Sequence, residues 1–278
     1  WGCRLGVELE LDRIKAKELS AKAGIEISPY KVLTGLDALR KHLKRNDDQF
    51  VKINATRGDM ETFHAPTYEK IEPKLDELGH TLGAKQKVMT FIVEKGIPDA
   101  IETGYDGFTI DGKFPRVGIT GIEVKDKGYV GRTMRYADMP ESVRSVNDKL
   151  VPAFKRYGYR GFWSTEIRVT NDGHAYPIDY TARAGSPPSE LYQNMIVNLG
   201  DVIWYGAEGI LIEPEYAAPW GAEVLLHSEW ADKNWAHVMI PDEIRNNVKL
   251  RNYTIIEGKH YIVPQASGMP EIGSVVAM

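Results

Sequence analysis

The sequence predicts a protein of the α/β type, with both helices and strands, built as one large domain or as two lobes. Its 278 residues are enough for either arrangement to bury a hydrophobic core. Apolar residues make up 42% of the chain and charged residues 27%, which is typical of a globular protein. Segments with helical spacing of apolar residues alternate with short strand-like runs, so we expect both kinds of element in the fold.

The net charge and the cysteine content narrow the range of functions. A formal net charge of −4 disfavours a nucleic-acid-binding protein, which usually carries a basic excess. The single cysteine, Cys3, cannot form an internal disulfide, and the sequence has neither a signal-peptide pattern nor an apolar run long enough to span a membrane. We therefore expect a cytoplasmic protein without nucleic-acid or membrane partners. The sequence does not indicate an oligomeric state.

The first half of the chain predicts helices and strands in alternation. Residues 8–23 place apolar side chains at helical spacing, and Gly24 is suited to end that helix. Residues 57–66 combine a glycine with charged residues and predict a loop. The other predicted elements are a strand at 26–34, helices at 35–45 and 67–83, and strands at 49–55, 87–95, 99–114 and 118–131.

The second half predicts two helices around a hairpin, followed by a β-rich end. A helix is expected at 140–157, and a Ser-Pro-Pro turn at 186–188 leads into a second helix that reaches residue 209. Glu257 and Gly258 mark the tip of a hairpin near the end of the chain. The predicted strands of this region cover 222–230, 236–241 and 248–264.

The hairpin between these helices contains the strongest candidate site. If Asp172 and Gly173 form a two-residue turn, Asn171 faces His174. The same register sets two acidic residues directly opposite each other, with Cβ atoms about 4.5–5.5 Å apart, where like charges repel. This pair is Glu166 and Asp179, and alternation along the strands adds Arg168, Thr181 and Arg183 to its face and turns Ile167, Val169, Ile178 and Tyr180 toward the core.

Two interpretations of this hairpin remain open. In the first, the charged face is solvated, and Arg168 or Arg183 balances the carboxylates. In the second, Glu166 and Asp179 hold Mg²⁺, which proteins usually bind through one or two carboxylates together with substrate phosphates. Arg183 then binds a phosphate through its forked guanidinium. The hairpin alone does not decide between them.

Other candidates are weaker when taken alone. Lys52 lies in an apolar strand, where a lysine is usually exposed, and Arg13 lies in a helix whose other charges are expected to face solvent. Residues 87–96 predict either a buried core strand or a hinge whose backbone contacts an adenine. Residues 245–253 mix basic and aromatic side chains, which we interpret as a solvated β face rather than a nucleic-acid surface.

Several segments, taken in order, resemble those of ATP-grasp enzymes. "DRIKAKELSAKAGI" is a helix with a basic residue before a Gly-Ile turn, "FVKI" is a strand with a lysine, and "TFIVE" resembles an adenine hinge. "DYTAR" follows the Asn-Asp-Gly turn where the family has acid-x-Asn-x-Arg, and "RAGSPPSE" comes next. Over roughly residues 8–210, the chain is similar to the ATP-grasp superfamily, in particular to glycinamide ribonucleotide synthetases (phosphoribosylamine-glycine ligases) and related carboxylate-amine ligases.

The resemblance implies a fold and a domain division. The expected fold is an ATP-grasp fold of the α+β class, in which two α+β lobes hold ATP between antiparallel sheets. Trp1 is not a methionine, and the chain ends in an apolar run, as expected of a fragment of a longer protein. The implied parts are a linker helix at 1–25 from an absent N-terminal lobe, a small lobe at 26–93, a large lobe with the metal site at 94–212, and a truncated β-rich segment at 213–278.

The resemblance also assigns roles to residues. ATP and Mg²⁺ (or Mn²⁺) are the implied cofactors, and a small-molecule carboxylate and an amine are the implied substrates. Thr181 departs from the usual asparagine, and the glycine-poor loop after Lys52 leaves Arg57 or Thr62 to contact phosphate. The implied residues are Arg13, Lys52, Arg57, Phe91, Ile92 and Glu94 for the nucleotide, Glu166, Asp179 and Thr181 for the metal, Arg183 and Lys52 for catalysis, and Ser186 and Glu190 for the substrate.

Three functions follow as hypotheses. The first is a ligase that joins a carboxylate to an amine through an acyl phosphate made from ATP. The second is a degenerate ATP-grasp protein that binds nucleotide or a partner without turnover, which the Thr181 and loop departures motivate. The third is a metal-dependent nuclease built on the carboxylate hairpin, which the acidic net charge disfavours.

Overall fold

A computed structural model describes residues 1–54, 62–124, 127–265 and 271–278 of the chain. No helix within these ranges is long and apolar enough to span a membrane. The α-helices are α1 Glu8–Leu11, α2 Arg13–Lys22, α3 Leu36–Leu43, α4 Tyr68–Leu82, α5 Glu141–Tyr157, α6 Pro188–Met195, α7 Leu199–Ala207 and α8 Glu229–Lys233. The strands are β1 Tyr30–Thr34, β2 Gln49–Ile53, β3 Thr62–Ala65, β4 Thr90–Lys95, β5 Ala100–Ile110, β6 Val117–Val124, β7 Gly128–Arg135, β8 Arg160–Thr170, β9 Ala175–Thr181, β10 Trp220–His227, β11 Ala236–Val238, β12 Val248–Leu250, β13 Tyr253–Ile256, β14 Lys259–Ile262 and β15 Glu271–Ala277.

The small lobe is a four-stranded antiparallel sheet packed against two helices. Its strand order is β1-β4-β2-β3, and α3 and α4 supply Leu39 and Leu75 to a core shared with the sheet. The prediction of a loop over 57–66 is wrong for its second half, which forms β3. Phe63 and Ala65 alternate with polar neighbours and are buried, but four residues are too few to stand out beside the charged segment before them.

The large lobe is an eight-stranded antiparallel sheet in the order β12-β15-β10-β7-β6-β5-β8-β9. Side chains that alternate along β5 enter two cores. Tyr105 packs in the core under α5, while Phe108 and Ile110 pack on the other face with α7. Burial on both faces fixes the position of β5 in the lobe.

The C-terminal residues extend this same sheet. β10 pairs with β7, and β15 pairs with both β10 and β12, so residues 213–278 share backbone hydrogen bonds with the large lobe. A further three-stranded sheet has the order β11-β14-β13. The predicted hairpin tip is confirmed, because Ile256 pairs with Lys259 and both intervening residues, Glu257 and Gly258, have positive φ angles of 50° and 75°.

Two predicted long helices are each interrupted at a polar residue whose side chain hydrogen-bonds to backbone groups. The helix predicted over 8–23 breaks at Asp12, whose carboxylate accepts the Lys15 N–H and caps α2. The helix predicted to reach residue 209 breaks at Asn198, whose amide donates to the Glu213 carbonyl at 3.0 Å and accepts the Glu215 N–H at 2.9 Å. Both residues offer the backbone an alternative to a continuous helix.

The N-terminal segment joins the two lobes. Trp1 packs against Phe108 and Phe162 of the large lobe, with ring centroids 5.8 and 5.2 Å away. From α2, Arg13 donates a hydrogen bond of 2.9 Å to the Ile53 carbonyl in the small lobe. Residues 1–25 therefore form part of the wall between the two sheets.

Glu223 of β10 is a carboxylate buried inside the large lobe. The residue is 1% exposed, and within the described structure neither carboxylate oxygen makes a hydrogen bond of standard geometry. Burial raises the pKa of Glu223 to about 7, against the opposing effects of Ser274 and Arg251. Between the ordinary glutamate pKa of 4.5 and about 7, the folded protein keeps a proton that the unfolded chain has lost. The free energy of unfolding therefore falls as the pH rises through this range.

We predict that Glu223→Gln raises the melting temperature at pH 8 by roughly 2–4 °C and changes it little at pH 5. The substitution removes a charge that must otherwise form in the protein interior at the higher pH. Thermal unfolding at both pH values checks this, with the exposed Glu72→Gln as the matched control. An equal effect of Glu223→Gln at the two pH values would contradict it.

Candidate functional site

A cavity of about 380 Å³ lies between the two sheets and is large enough for a small-molecule ligand. We call it the larger cavity. Basic and acidic side chains face each other across it. The small lobe contributes Phe50, Lys52, Thr62, Glu94 and Lys95, the large lobe contributes Glu102, Glu123, Glu166, Arg168, Ile178 and Asp179, and Ser28 and Ile97 complete the lining.

β8 and β9 bring the two predicted acidic residues together at this cavity. Glu166 and Asp179 are directly opposite each other in the antiparallel ladder, which confirms the predicted pairing. Both line the larger cavity, so the charged face of the hairpin is not an open surface. The interpretation of this face as fully solvated is therefore wrong.

The turn of this hairpin differs from the prediction. The Thr170 N–H donates to the His174 carbonyl at 2.9 Å, which leaves the three residues 171–173 in the loop instead of Asp172 and Gly173 alone. Asn171 thus does not face His174. The longer loop shifts the register by one residue between the turn and Ile167.

A β-bulge at Ile178 shifts the register back. Glu166 pairs with Asp179 while Ile167 pairs with Pro177, so Ile178 is the extra residue. Its side chain lines the larger cavity instead of entering the core as predicted, and Pro177 is buried instead. The bulge also presents the Ile178 carbonyl to Lys52, whose ammonium donates a hydrogen bond to it across the lobes.

The carboxylate pair has the electrostatics of a cation site. Burial, followed by the charges of Asp179, Glu123 and Glu102, raises the pKa of Glu166, and Lys52 opposes the rise. The described residues contain no group of three or more histidine, cysteine or acidic side chains arranged around one metal position. Two facing carboxylates fit Mg²⁺, which takes its remaining ligands from phosphate and water.

The basic wall of the larger cavity is a buried cluster of three charges. Lys52 of β2 lies 3.4 Å from Glu94 of β4, and Lys17 of α2 forms a direct ion pair with the same carboxylate. Burial lowers the pKa of Lys17 more than Glu94 raises it. Burial alone would raise the pKa of Glu94, but Lys52 and Lys17 outweigh it and lower the pKa.

Lys17 is a site residue that the sequence analysis missed. It lies one helical turn after Arg13 on α2 and is 8% exposed, so the expectation that the other charges of this helix face solvent is wrong for Lys17. The buried Ala16 and Ser20 on the same helix were the available signal, because small residues let α2 approach the sheets. Arg13 itself borders a small cavity of about 30 Å³ beside Lys52 and Asp179.

The predicted adenine hinge lies inside the small-lobe sheet. β4 has a partner on each edge, and Ile92 faces Val32 on one side and Lys52 on the other. The side chains of Phe91 and Ile92 are fully buried. The structure therefore does not bring these two residues to the larger cavity, which is lined instead by Glu94, Lys95 and Ile97 near the end of β4.

Two of the other predicted residues line a second cavity. This smaller cavity, of about 40 Å³, is lined by Thr181 and Ser186 and shares Glu166 with the larger one. Arg183 instead forms an ion pair of 3.1 Å with Glu10 of α1, and its side chain is 47% exposed. Arg57 lies outside the described residues.

Arg251 connects the C-terminal segment to the predicted substrate residues. Its guanidinium donates to Glu190 at 2.6 Å and to the Ser186 hydroxyl at 3.0 Å, and it also pairs with Glu271. The interpretation of residues 245–253 as a solvated face is therefore wrong for Arg251. Its partners are 61 and 65 residues away in sequence, so the local pattern carried no signal of this contact.

No known family model matches the sequence, and no curated protein matches it. Solved structures do match. Phosphoribosylamine-glycine ligase from Thermotoga maritima superposes with a TM-score of 0.75 at 16% identity, over 98% of this chain and 72% of that one. L-amino acid ligase from Bacillus licheniformis gives 0.63 at 14% identity, over 97% and 68%, and biotin carboxylase from Campylobacter jejuni gives 0.62 at 16%, over 97% and 63%.

The chain thus spans about two thirds of the length of the solved structures that it matches. All three structures are ATP-grasp enzymes. The shared features are antiparallel sheets combined with helices. The chain therefore has the ATP-grasp fold.

Proposed function

We propose that this protein is an ATP- and Mg²⁺-dependent ligase that joins a small-molecule carboxylate to an amine. The observation that carries the proposal is the facing pair Glu166 and Asp179, which lines the larger cavity together with Lys52. A metal site and a phosphate-binding lysine on opposite walls of the larger cavity suit a nucleoside triphosphate. The ATP-grasp fold supports this assignment, and the similar solved structures include two named as ligases.

The nucleotide is proposed to lie along the small lobe. Lys52 contacts phosphate oxygens, and Arg13 supports the same region from α2. We propose that the adenine lies beside Lys95 and Ile97, which line the larger cavity at the end of β4, instead of beside the buried middle of that strand. Glu94, held by Lys17, is proposed to lie near the adenosine.

The reaction is proposed to proceed in two transfers. A substrate carboxylate oxygen attacks the γ-phosphorus of ATP, the bond to the bridging oxygen breaks, and ADP leaves. An amine nitrogen then attacks the acyl carbon, phosphate leaves with the carbon–oxygen bond electrons, and the nitrogen loses a proton. Mg²⁺ bound to Glu166 and Asp179 supplies neutralisation of the phosphate charge.

The protein's own side chains position the reactants and balance charge. Lys52 is fixed by Glu94 and the Ile178 carbonyl, so its ammonium is already aimed into the cavity. Arg183 is proposed to stabilise the developing acyl phosphate, and its half-exposed side chain can exchange Glu10 for that anion. Thr181 is the proposed third metal contact, and Ser186 and Glu190 are proposed to approach the substrate.

A second candidate is a degenerate ATP-grasp protein that binds nucleotide without turnover. Thr181 motivates it, because this residue lines the smaller cavity where the family's metal-binding asparagine is expected. A melting-temperature rise with MgATP together with ADP release on pooled carboxylates and amines supports the ligase. A rise without ADP release supports the degenerate protein, and no rise contradicts both.

We predict that Asp179→Asn lowers ADP release by at least ~100-fold and leaves the fold intact. The change removes a metal ligand and also relieves the repulsion with Glu166, so the melting temperature without nucleotide does not fall. Coupled ADP assays and thermal unfolding check both statements. Asp172→Asn, on the exposed turn of the same hairpin, is the matched control. Undiminished turnover in Asp179→Asn would refute the metal assignment.

We predict that Lys52→Met weakens ATP binding by roughly 10–100-fold, because it removes a charge-assisted hydrogen bond to phosphate. Lys31→Met on the exposed side of β1 is the control and leaves binding unchanged. Titration with MgATP, followed by calorimetry, gives both affinities. Equal affinities for the two variants would remove Lys52 from the phosphate site.

A further inference from the structure

Residues 96–99 connect the small lobe to the large lobe, because β4 ends at Lys95 and β5 begins at Ala100. The connection borders the larger cavity, which Lys95 and Ile97 both line. Asp99 has a φ of 50°, a left-handed backbone conformation that is typical of a turn. A contact that holds this connection therefore affects both the spacing of the lobes and the shape of the larger cavity.

The small lobe holds the first residue of this connection. The Gly96 N–H donates to the Asp48 carbonyl at 3.3 Å, and the Asp48 carboxylate lies 2.7 Å from a ring nitrogen of His64. A Cβ atom at Gly96 would lie 3.0 Å from the Oδ2 of Asp48, so a side chain there would push this contact apart. The connection is therefore fixed at its beginning to the small-lobe sheet.

Arg168 of β8 holds the same connection from the large lobe. Its Nη1 donates a hydrogen bond of 3.3 Å to the Ile97 carbonyl. Its Nε and Nη2 donate to the Glu102 carboxylate of β5 at 3.3 and 3.4 Å, and Glu102 is the cross-strand partner of Arg168 in the β5–β8 ladder. One guanidinium thus joins the connection between the lobes to two strands of the large lobe.

The arginine is oriented for this backbone contact. A half-exposed pair such as Arg168 and Glu102 contributes little to stability by itself. Glu102 nevertheless occupies one edge of the planar guanidinium, which fixes the direction of the remaining donors. The fixed guanidinium can therefore hold the Ile97 carbonyl in one place.

The strand that carries Arg168 also carries a carboxylate of the proposed metal site. Glu166 precedes Arg168 by two residues on β8, and both side chains line the larger cavity. Two residues along a strand span about 6.6–6.8 Å. One strand therefore supports the proposed phosphate end of the nucleotide through Glu166 and its proposed base end through Arg168 and Ile97.

We propose that Arg168 is a positioning residue for the base of the nucleotide: it fixes the Ile97 backbone beside the adenine and does not contact the phosphates. The inference rests on the nucleotide site of the proposed function. Its consequence is that Arg168 strengthens the binding of a ligand that has a base. Binding of the triphosphate group alone does not depend on it.

The test compares MgATP with magnesium tripolyphosphate, which has the phosphates without the base, by calorimetric titration. Arg168→Met removes every donor of the guanidinium and keeps an unbranched side chain. We expect the affinity for MgATP to fall about 5–20-fold, the effect of one charge-assisted hydrogen bond, and the affinity for tripolyphosphate to change less than about 2-fold. Arg135→Met removes an exposed arginine that is bonded to Asp138, and this control leaves both affinities unchanged.

Two results of these titrations would overturn the inference. An equal loss of affinity for both ligands would mean that Arg168 acts through its charge or contacts phosphate. An unchanged affinity for MgATP in Arg168→Met would mean that the contact with Ile97 does not support the base. Arg168→Gln, titrated in the same way, decides the question if Arg168→Met does not fold.

The titrations do not require turnover, so failure of this inference is separate from failure of the ligase proposal. If the wild-type protein binds MgATP but releases no ADP, the ligase proposal fails alone and the titrations still decide the role of Arg168. In an active ligase, Arg168→Met raises the KM for ATP and leaves kcat within about 2-fold. A lower kcat with an unchanged KM overturns the inference, and a wild-type protein that binds neither ligand contradicts both proposals.

Discussion

The candidate site depends on two like charges that face each other at one cross-strand position. Glu166 and Asp179 face each other at the cavity between the lobes, where the charges of neighbouring acidic residues add to their repulsion. A hairpin selected only for stability would place an opposite charge in one of these positions. Pairing with β5 and β9 holds β8 in place, and the two carboxylates form the proposed site for a divalent cation.

The rest of the site compensates for this concentration of negative charge. Lys52 reaches from the small lobe to the Ile178 carbonyl, next to Asp179, and Glu94 and Lys17 fix it from behind. This contact joins the small-lobe sheet to the β8–β9 hairpin and depends on the β-bulge that turns the carbonyl outward. The bulge therefore sets both the register of the acidic pair and the position of the lysine.

The sequence was sufficient to predict those helices, strands and turns whose residue pattern is local. The apolar spacing of α4 and α5, the Glu257-Gly258 turn and the alternation of β8 each predicted their elements. The pairing of Glu166 with Asp179 was also correct, but two deviations of one residue, in the turn and at Ile178, cancelled to produce it. Gly173, with a φ of 89°, suits a three-residue turn as well as a two-residue one, and Pro177 suits a bulge, so these residue types did not decide between the registers. The sequence could not predict contacts between distant segments. In the ion pairs of Arg251 with Glu190 and of Lys17 with Glu94, the local sequence around each side chain is that of a charge exposed to solvent.

Glu166 and Asp179 are proposed to hold together the divalent cation that accompanies ATP. A crystal structure of the complex with Mn²⁺ and a non-hydrolysable ATP analogue would locate this cation, because manganese is identified by its anomalous scattering and accepts the same carboxylate ligands as magnesium. We expect an anomalous peak about 2.0–2.3 Å from an oxygen of each carboxylate, with phosphate oxygens on its other side. Nucleotide bound in the larger cavity with manganese contacting phosphate alone, or neither carboxylate, would contradict it.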